Sequence, residues 1–323
     1  MLIDTLTVGV CGTDREIARG AFGSAPAGQE RLVLGHEVLG QVRDAPPGSG
    51  LAAGDLVTAV VRRPAPDPCA RCAVGDWDMC SDGRYTEHGI LGAHGFAREQ
   101  FRADPEQLVL LPEVLHDTGV LVEPASVVAK GWSQLDRVTA RCATPPRTAL
   151  ITGAGPIGLL AALLATQRGL RTYVLDRDGQ PRKAELVTAL GATFHTGPLS
   201  ELAGIPDVIV EATGAVQVIR DVINLPAAGS SICLLGVTHT PGSLLADIGA
   251  LNDHLVHQNK LLFGSVNANP AHFTTALEAL TRADPAWLHA LITRRVPLAH
   301  APAAFDVAAG DIKTVIDVRP RAA

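Results

Sequence analysis

The segment that most limits what this chain can fold into is Gly153-Ala154-Gly155-Pro156-Ile157-Gly158, which follows Ala149-Leu150-Ile151-Thr152 and opens the apolar run Leu159 to Leu164. Three glycines in a turn carry little weight alone. Set between a strand and a helix, they allow a backbone to approach a pyrophosphate and aim a helix N-terminus at it. Asp176 lies 23 residues after Gly153, close to the spacing of about 20 expected for a carboxylate that accepts ribose hydroxyls. Strands are expected at Thr148–Thr152, Arg171–Leu175, Val208–Val210 and Ser231–Leu235, with helices at Pro156–Arg168 and Pro181–Leu190. Strands alternating with helices predict a doubly wound parallel sheet, because parallel neighbours need a crossover. Gly153, Gly155, Pro156, Ile157, Gly158 and Asp176 are the candidate dinucleotide residues. Asp176 would repel a 2′-phosphate and so favours NAD, while Arg177 and Arg182 are near enough in sequence to keep NADP open.

The region before about residue 120 has a different grain. Short strand-like runs, Glu37–Val42 and Asp55–Val61, are separated by the turns Ala45-Pro46-Pro47-Gly48 and Pro64 to Pro68, which suits an antiparallel or barrel-like β domain. Residues from Arg295 to Val318 again read as short strands around a helix. The expected organisation is therefore a β-rich domain over 1–120, a dinucleotide domain over 121–292, and a return to the first domain over 293–323. A chain of 323 residues is long enough for two such cores. With 27 basic and 33 acidic residues the net charge is −6, which offers no basic footprint for nucleic acid and no attraction to an anionic membrane. No apolar run approaches the ~20 residues of a membrane span, and the opening residues do not read as a signal peptide. A small-molecule partner and a cytoplasmic location are expected.

Three separate segments carry metal-ligand chemistry: Cys11 in Val10-Cys11-Gly12-Thr13-Asp14, then Gly35-His36-Glu37, then Glu123-Pro124. A thiolate, an imidazole and carboxylates suit a catalytic Zn²⁺, which takes three protein ligands and keeps a position open. Asp14 can accept the second ring N–H of His36 and fix its tautomer. Thr13 offers a hydroxyl to pass a proton from a substrate alcohol. Cys69, Cys72 and Cys80 form a second group in which a closed structural zinc site would need a fourth ligand. Pro66 stands where a first cysteine would keep the rhythm, and Asp67 is the nearby substitute, so the lobe reads either as a structural zinc site or as three thiols without a metal. Cys142 and Cys233 read as small buried hydrophobes. His88 and His94 either line a cleft or pack, and His254 and His257 are open in the same way. No Gly-x-Ser-x-Gly elbow or phosphate-binding Gly-x₄-Gly-Lys-Ser/Thr loop is present, which removes the common hydrolase and phosphoryl-transfer readings.

With these residues in place the chain resembles the zinc-containing medium-chain dehydrogenase/reductase (alcohol dehydrogenase) superfamily along essentially its whole length. Val8 to Asp14, Gly35-His36-Glu37, the thiol lobe, Gly153 to Gly158 and Val210-Glu211-Ala212-Thr213-Gly214 carry the likeness. Within it, the glucose 1-dehydrogenase branch is resembled most. Thr13 to Ile17, Val61-Arg62-Arg63-Pro64, Glu87-His88-Gly89-Ile90 with His94-Gly95-Phe96, and Gly264-Ser265-Val266-Asn267-Ala268 carry that finer match. The resemblance implies a GroES-like catalytic domain and a Rossmann domain. It also implies a catalytic zinc on Cys11, His36 and Glu123, with Glu37 as a nearby or exchanging ligand, and catalytic roles for Thr13, His36 and Glu123. Thr13, Glu87, Glu123 and Asn267 match sugar-contacting positions. Gly155 to Gly158, Asp176, Arg177, Thr213, Val237, Ser265, Val266 and Asn267 match cofactor-contacting ones, with Lys313 a further candidate.

The implied reaction takes hydride from the anomeric carbon of an aldose such as glucose to NAD(P)⁺ and leaves the lactone. A zinc dehydrogenase of another polyol, cyclitol or secondary alcohol is the alternative, and a nucleotide-binding relative without catalysis is a third. A homo-oligomer, dimer or tetramer, is expected; Leu261-Leu262-Phe263 reads either as a sheet edge open to a second copy or as a buried internal strand. Met1 to Leu6 resembles the strand just before the zinc cysteine, so the family's opening hairpin is absent from this reading: either the start is placed too far downstream or the domain has lost edge strands, and losing them would expose unpaired backbone and apolar surface.

Overall fold

A computed structural model describes residues 1–177, 179, 181–238, 248–308 and 310–319. The chain divides into two compact units, residues 1–126 with 267–323, and residues 127–266. In chain order the first unit supplies β1 (Leu2–Val10), β2 (Glu37–Asp44), β3 (Leu56–Ala59), β4 (Arg62–Pro64), β5 (Tyr85–His88), β6 (Gly92–Ala93), β7 (Gln100–Arg102) and β8 (Leu108–Leu111). The second supplies β9 (Thr148–Thr152), β10 (Arg171–Leu175), β11 (Thr193–His195), β12 (Val208–Glu211), β13 (Ser231–Leu234) and β14 (Leu261–Gly264). The chain then returns through β15 (Ile292–Pro297) and β16 (Lys313–Asp317).

The first unit's main sheet runs β15-β16-β1-β2-β3-β8, with β7 on β1. β1 is its centre. Along one edge it pairs with β2; along the other, Thr7 to Val10 pair with β16 and Leu2 to Asp4 with β7. Among the described residues both edges of β1 are therefore paired, by strands from distant parts of the chain. Ile3, Val8, Val38, Val57, Phe96 and Phe101 close the core with exposures of 3% or less, each fully buried aliphatic side chain contributing about 1.5–3 kcal/mol. A small sheet, β4-β5-β6, stands beside the thiol lobe. The contact boundary at residue 267, rather than 293, has a local cause: helices Pro270–Thr281 and Pro285–Leu291 pack on β8 and β15 of the first unit.

The second unit is a six-stranded, wholly parallel sheet in the order β11-β10-β9-β12-β13-β14, the doubly wound order of dinucleotide-binding sheets. The helix after β9, Pro156–Gln167, is buried along Gly158 to Ala165, as an all-round apolar helix must be. β14 ends the sheet and pairs only with β13 among the described residues, and its Leu261, Leu262 and Phe263 are half-buried. Among the described residues this strand is thus an edge strand and not an internal one. Cys233 is buried on β13, as expected, but Cys142 is exposed in the turn after helix Val122–Thr139. Its neighbours Thr139 to Thr144 end the helix at the surface rather than continuing an apolar strand. Among the described residues no helix is long and apolar enough to cross a membrane.

Candidate active site

β1 delivers its last residue, Val10, directly to Cys11, and Cys11 caps the short helix Gly12–Ala18. Asp14, in the first turn of that helix and 1% exposed, organises what surrounds it. Its Oδ2 accepts the Cys11 N–H at 3.0 Å, and its Oδ1 accepts the Gly35 N–H at 3.2 Å and lies 3.2 Å from His36 Nδ1. One carboxylate thereby ties the cysteine segment to the histidine segment. Gly35 has φ of 87°, and a Cβ there would lie 2.6 Å from Val8 Cγ1, so the loop can reach Asp14 only with glycine at this position.

With Nδ1 turned to Asp14, His36 presents Nε2 to Cys11 Sγ at 3.3 Å. A sulfur and a nitrogen sharing one tetrahedral zinc ion would lie about 3.5 Å apart. Glu37 and Glu123 join His36 in a second buried group whose candidate ligand atoms lie within 4.8 Å of one another, and His36 is common to both groups. Glu37 is occupied on one side by buried Lys313, whose Nζ contacts Oε2. Lys313 is thus held within the first unit as the counterion of Glu37. The Glu123 carboxylate is buried and receives no hydrogen bond among the described residues. Burial pushes it up to about 7, His36 opposing and Glu37 reinforcing the rise. Burial alone would lower the His36 imidazole, but Asp14 and Cys11 overcome it and raise it well above the ordinary value. A buried carboxylate without a donor, beside a thiol and an imidazole whose Nδ1 lies 3.2 Å from the Asp14 carboxylate, is a donor set that fits a divalent cation of zinc type.

Thr13 lies half-buried on the same first turn, with no hydrogen bond to its hydroxyl among the described residues. Glu87 of β5 is joined by Asn267, whose Nδ2 donates to Oε1 at 2.6 Å. Asn267 holds φ of 63° and accepts the Ala268 N–H through Oδ1 at 2.7 Å, the left-handed conformation that asparagine tolerates.

The thiol lobe gathers Cys69, Cys72 and Cys80 within 4.8 Å. Asp67 is not with them: its side chain is 92% exposed and lies 3.6 Å from Arg84. The expected fourth ligand is drawn away by that guanidinium, which Asp82 also pairs. His88 packs against Phe96 and donates from Nδ1 to the His94 carbonyl, so packing is its role.

In the second unit, Gly155 caps the helix that Pro156 begins. A Cβ on Gly158 would lie 1.7 Å from the Gly153 carbonyl oxygen, so this turn needs glycine there. Asp176 accepts the Ala154 N–H at 3.0 Å and pairs with Lys183 at 2.9 Å through Oδ2, and accepts the Arg177 N–H through Oδ1. Burial would raise this carboxyl, but Lys183 and the two N–H groups hold it below its ordinary range. Glu211, at the end of β12 and fully buried, accepts from Thr152, Thr213 and Gly214 and braces the turn that carries Thr213. A Cβ on Gly214 would meet the Val237 carbonyl oxygen at 2.4 Å, so Val237 lies against that turn. Val237 and Val266 are 60% and 61% exposed, and the Ser265 hydroxyl is buried without a partner among the described residues. Lys183, on the helix Pro181–Ala189, and Glu211, at the end of β12, are the residues of this unit that sequence reasoning missed. Glu211 lay inside a quoted motif and its burial was the missing signal; Lys183 is two turns of chain beyond Asp176 and becomes its neighbour only in the folded helix.

The class this fold and site define is that of the zinc alcohol dehydrogenases. Residues 1–113 match the model of the alcohol dehydrogenase GroES-like domain, and residues 116–318 that of the glucose dehydrogenase C-terminus. The chain belongs to the glucose dehydrogenase family. It is 41% identical over 324 residues to glucose 1-dehydrogenase 2 of Vulcanisaeta moutnovskia, covering 98% of this chain and 91% of that one. With glucose 1-dehydrogenase of Thermoproteus tenax the identity is 40%, covering 99% and 92%. The structure of Haloferax mediterranei glucose dehydrogenase in complex with NADP, Zn and gluconolactone superposes with a TM-score of 0.90 at 34% identity, covering 99% and 92%.

Proposed function

We propose that this chain is a zinc-dependent dehydrogenase that oxidises the anomeric hydroxyl of an aldose of glucose type to the lactone, with NAD(P)⁺ as hydride acceptor. The observation that carries the reading is the pairing of Cys11 Sγ with His36 Nε2 at 3.3 Å, braced from behind by Asp14 and accompanied by Glu123. The Haloferax relative, seen with zinc, NADP and gluconolactone, supports it. Cys11, His36 and Glu123 would hold the zinc, with Glu37 in reserve behind its Lys313 contact. When bound, the ion supplies Lewis-acid chemistry that lowers the pKa of the substrate hydroxyl.

The chain's own residues do the rest. Thr13 takes the proton from the anomeric hydroxyl and passes it outward, while the C–H bond at the same carbon breaks and its electron pair leaves as hydride to the nicotinamide. Glu87 and Asn267 orient the sugar ring, and the enzyme's contribution is to place that carbon and exclude water. Gly153 to Gly158 seat the pyrophosphate on a helix N-terminus, Asp176 accepts the ribose hydroxyls, and Arg177, Thr213, Val237, Ser265 and Val266 complete the cofactor's surroundings. Asp176 favours NAD⁺; Lys183 beside it supplies the cation through which a 2′-phosphate is accepted as well. The six thiols, none of them in a disulfide, suit a reducing, cytoplasmic setting.

Initial rates of NADH and NADPH formation with zinc-loaded protein, over a panel of aldoses and polyols, test this. Aldose oxidation with either cofactor is expected, and Lys183→Ala should lower the NADPH rate while sparing NADH. Turnover confined to polyols, or full activity in a folded His36→Ala protein, would overturn it.

A further inference from the structure

The carboxylate assigned to the sugar is itself held by a residue with no assigned role. Arg62 on β4 and Glu87 on β5 are direct cross-strand partners, so the register puts the two side chains on one face. Their side chains are only 8% and 12% exposed. Arg62 Nε donates to Glu87 Oε1 at 3.0 Å, Nη2 lies 2.9 Å from the same oxygen, and Asn267 Nδ2 adds a third donor there. Oε2 receives no donor among the described residues. One oxygen of Glu87 is thus saturated and the other is left as an acceptor.

The guanidinium is fixed in turn. It lies over the Tyr85 ring, 3.9 Å from the centroid, and Nη1 donates to the carbonyls of Trp77 and Asp78 at 3.4 and 3.3 Å. Those carbonyls belong to the 3₁₀ turn Trp77–Met79, immediately before Cys80 of the thiol lobe. A planar fork with five donors can serve the carboxylate and two carbonyls together; a lysine ammonium cannot reproduce that geometry.

We propose that Arg62 is the positioning residue of the aldose site: it pins Glu87 by Oε1, reserves Oε2 for sugar hydroxyls, and makes the turn of the thiol lobe part of the sugar site's frame. This rests on the reading of Glu87 as a sugar contact. Arg62→Ala should raise the KM for glucose about tenfold, the value of a lost hydrogen bond to a charged group. Within the same series, kcat, the KM for NAD(P)⁺ and the zinc content should stay near those of the parent. Arg62→Lys should give an intermediate KM. In a Glu87→Gln background, Arg62→Ala should add almost nothing, because the carboxylate through which it acts is already gone.

If Arg62→Ala does not fold, Arg62→Lys decides the matter by its sugar KM alone. An unchanged KM in a folded, zinc-loaded Arg62 variant, or additive effects of the two substitutions, overturns the proposal. If the parent oxidises glucose and Glu87→Gln raises KM while the Arg62 variants do not, this inference falls and the sugar dehydrogenase stands. If the parent oxidises no aldose, both fall.

Discussion

The cluster around His36 brings together one thiol, one imidazole and carboxylates, whereas the lobe around Cys72 brings together three thiols, and the two differ as much in what stands behind the donors. His36, Glu37 and Glu123 are all buried, and His36 is turned by a carboxylate, Asp14, that also fixes the backbone at Cys11 and Gly35. Cys69 and Cys80 are half-exposed, and beyond the lobe's own thiols their sulfurs meet a peptide N–H of Ser81 and the carboxylate of Asp82. The first arrangement crowds buried carboxylates against an imidazole, with only Cys11 half-exposed, and so stores a demand for a cation. In the second, solvent or a proton can satisfy two of the three thiols. Burial and second-layer hydrogen bonds, more than ligand count, separate a site built for chemistry from one that shapes a loop.

That contrast breaks most sharply if removing a donor from the cluster is harmless. Cys11→Ser and His36→Ala are expected to lose the tightly held zinc, read by metal analysis, and at least about 10³-fold in kcat/KM, since Lewis-acid stabilisation is worth several kcal/mol. Asp14→Asn keeps every ligand but replaces the carboxylate that orients His36; a loss of roughly 10- to 100-fold in zinc affinity or activity is expected. An Asp14→Asn protein with parental zinc affinity and kcat would show that the tautomer of His36 needs no such support.

The doubly wound unit was legible in the sequence because its evidence is local. A strand, a glycine turn, an apolar helix and an aspartate follow one another, and the strands Thr148–Thr152 and Arg171–Leu175 appear at the expected residues. The first unit was less legible because its order is set by pairings across the chain: β1 meets β16 over some 310 residues and nothing near Met1 announces it. The same holds within the site. Cys11, Asp14 and His36 could be grouped from residue type and known spacing, whereas the contacts of Glu37 with Lys313 and of Asp176 with Lys183 follow only from the fold. Asp67 was misplaced for a related reason: proximity in sequence to the cysteines says nothing about Arg84, which claims it.

A donor removed from the lobe should cost far less. Cys80→Ser is expected to keep the cluster's zinc and to leave kcat within about twofold, as substitutions away from the chemistry do. Its measurable trace should be in the sugar KM, because Arg62 grips the turn that ends at Cys80. A fall in kcat matching that of Cys11→Ser would erase the distinction between the two regions.

The finest test leaves turnover aside and asks whether the lobe's thiols are as unequal as their surroundings. Hydrogen bonding from Ser81, and then from Cys72, pulls Cys69 down to about 6, while burial and the neighbouring sulfurs push Cys72 up to about 12. The thiolate is the nucleophile, so in reduced, zinc-free protein the alkylation of Cys69, followed by peptide mapping, should rise as pH increases through about 6 and level off near neutrality. Below that midpoint the sulfur is protonated and slow; Cys72 stays unmodified throughout because it keeps its proton. A Cys69 midpoint near the ordinary thiol value of about 8.5 would mean that Ser81 gives the sulfur no stabilisation. The lobe would then hold three equivalent thiols, and its contrast with the oriented donors around His36 would rest on exposure alone.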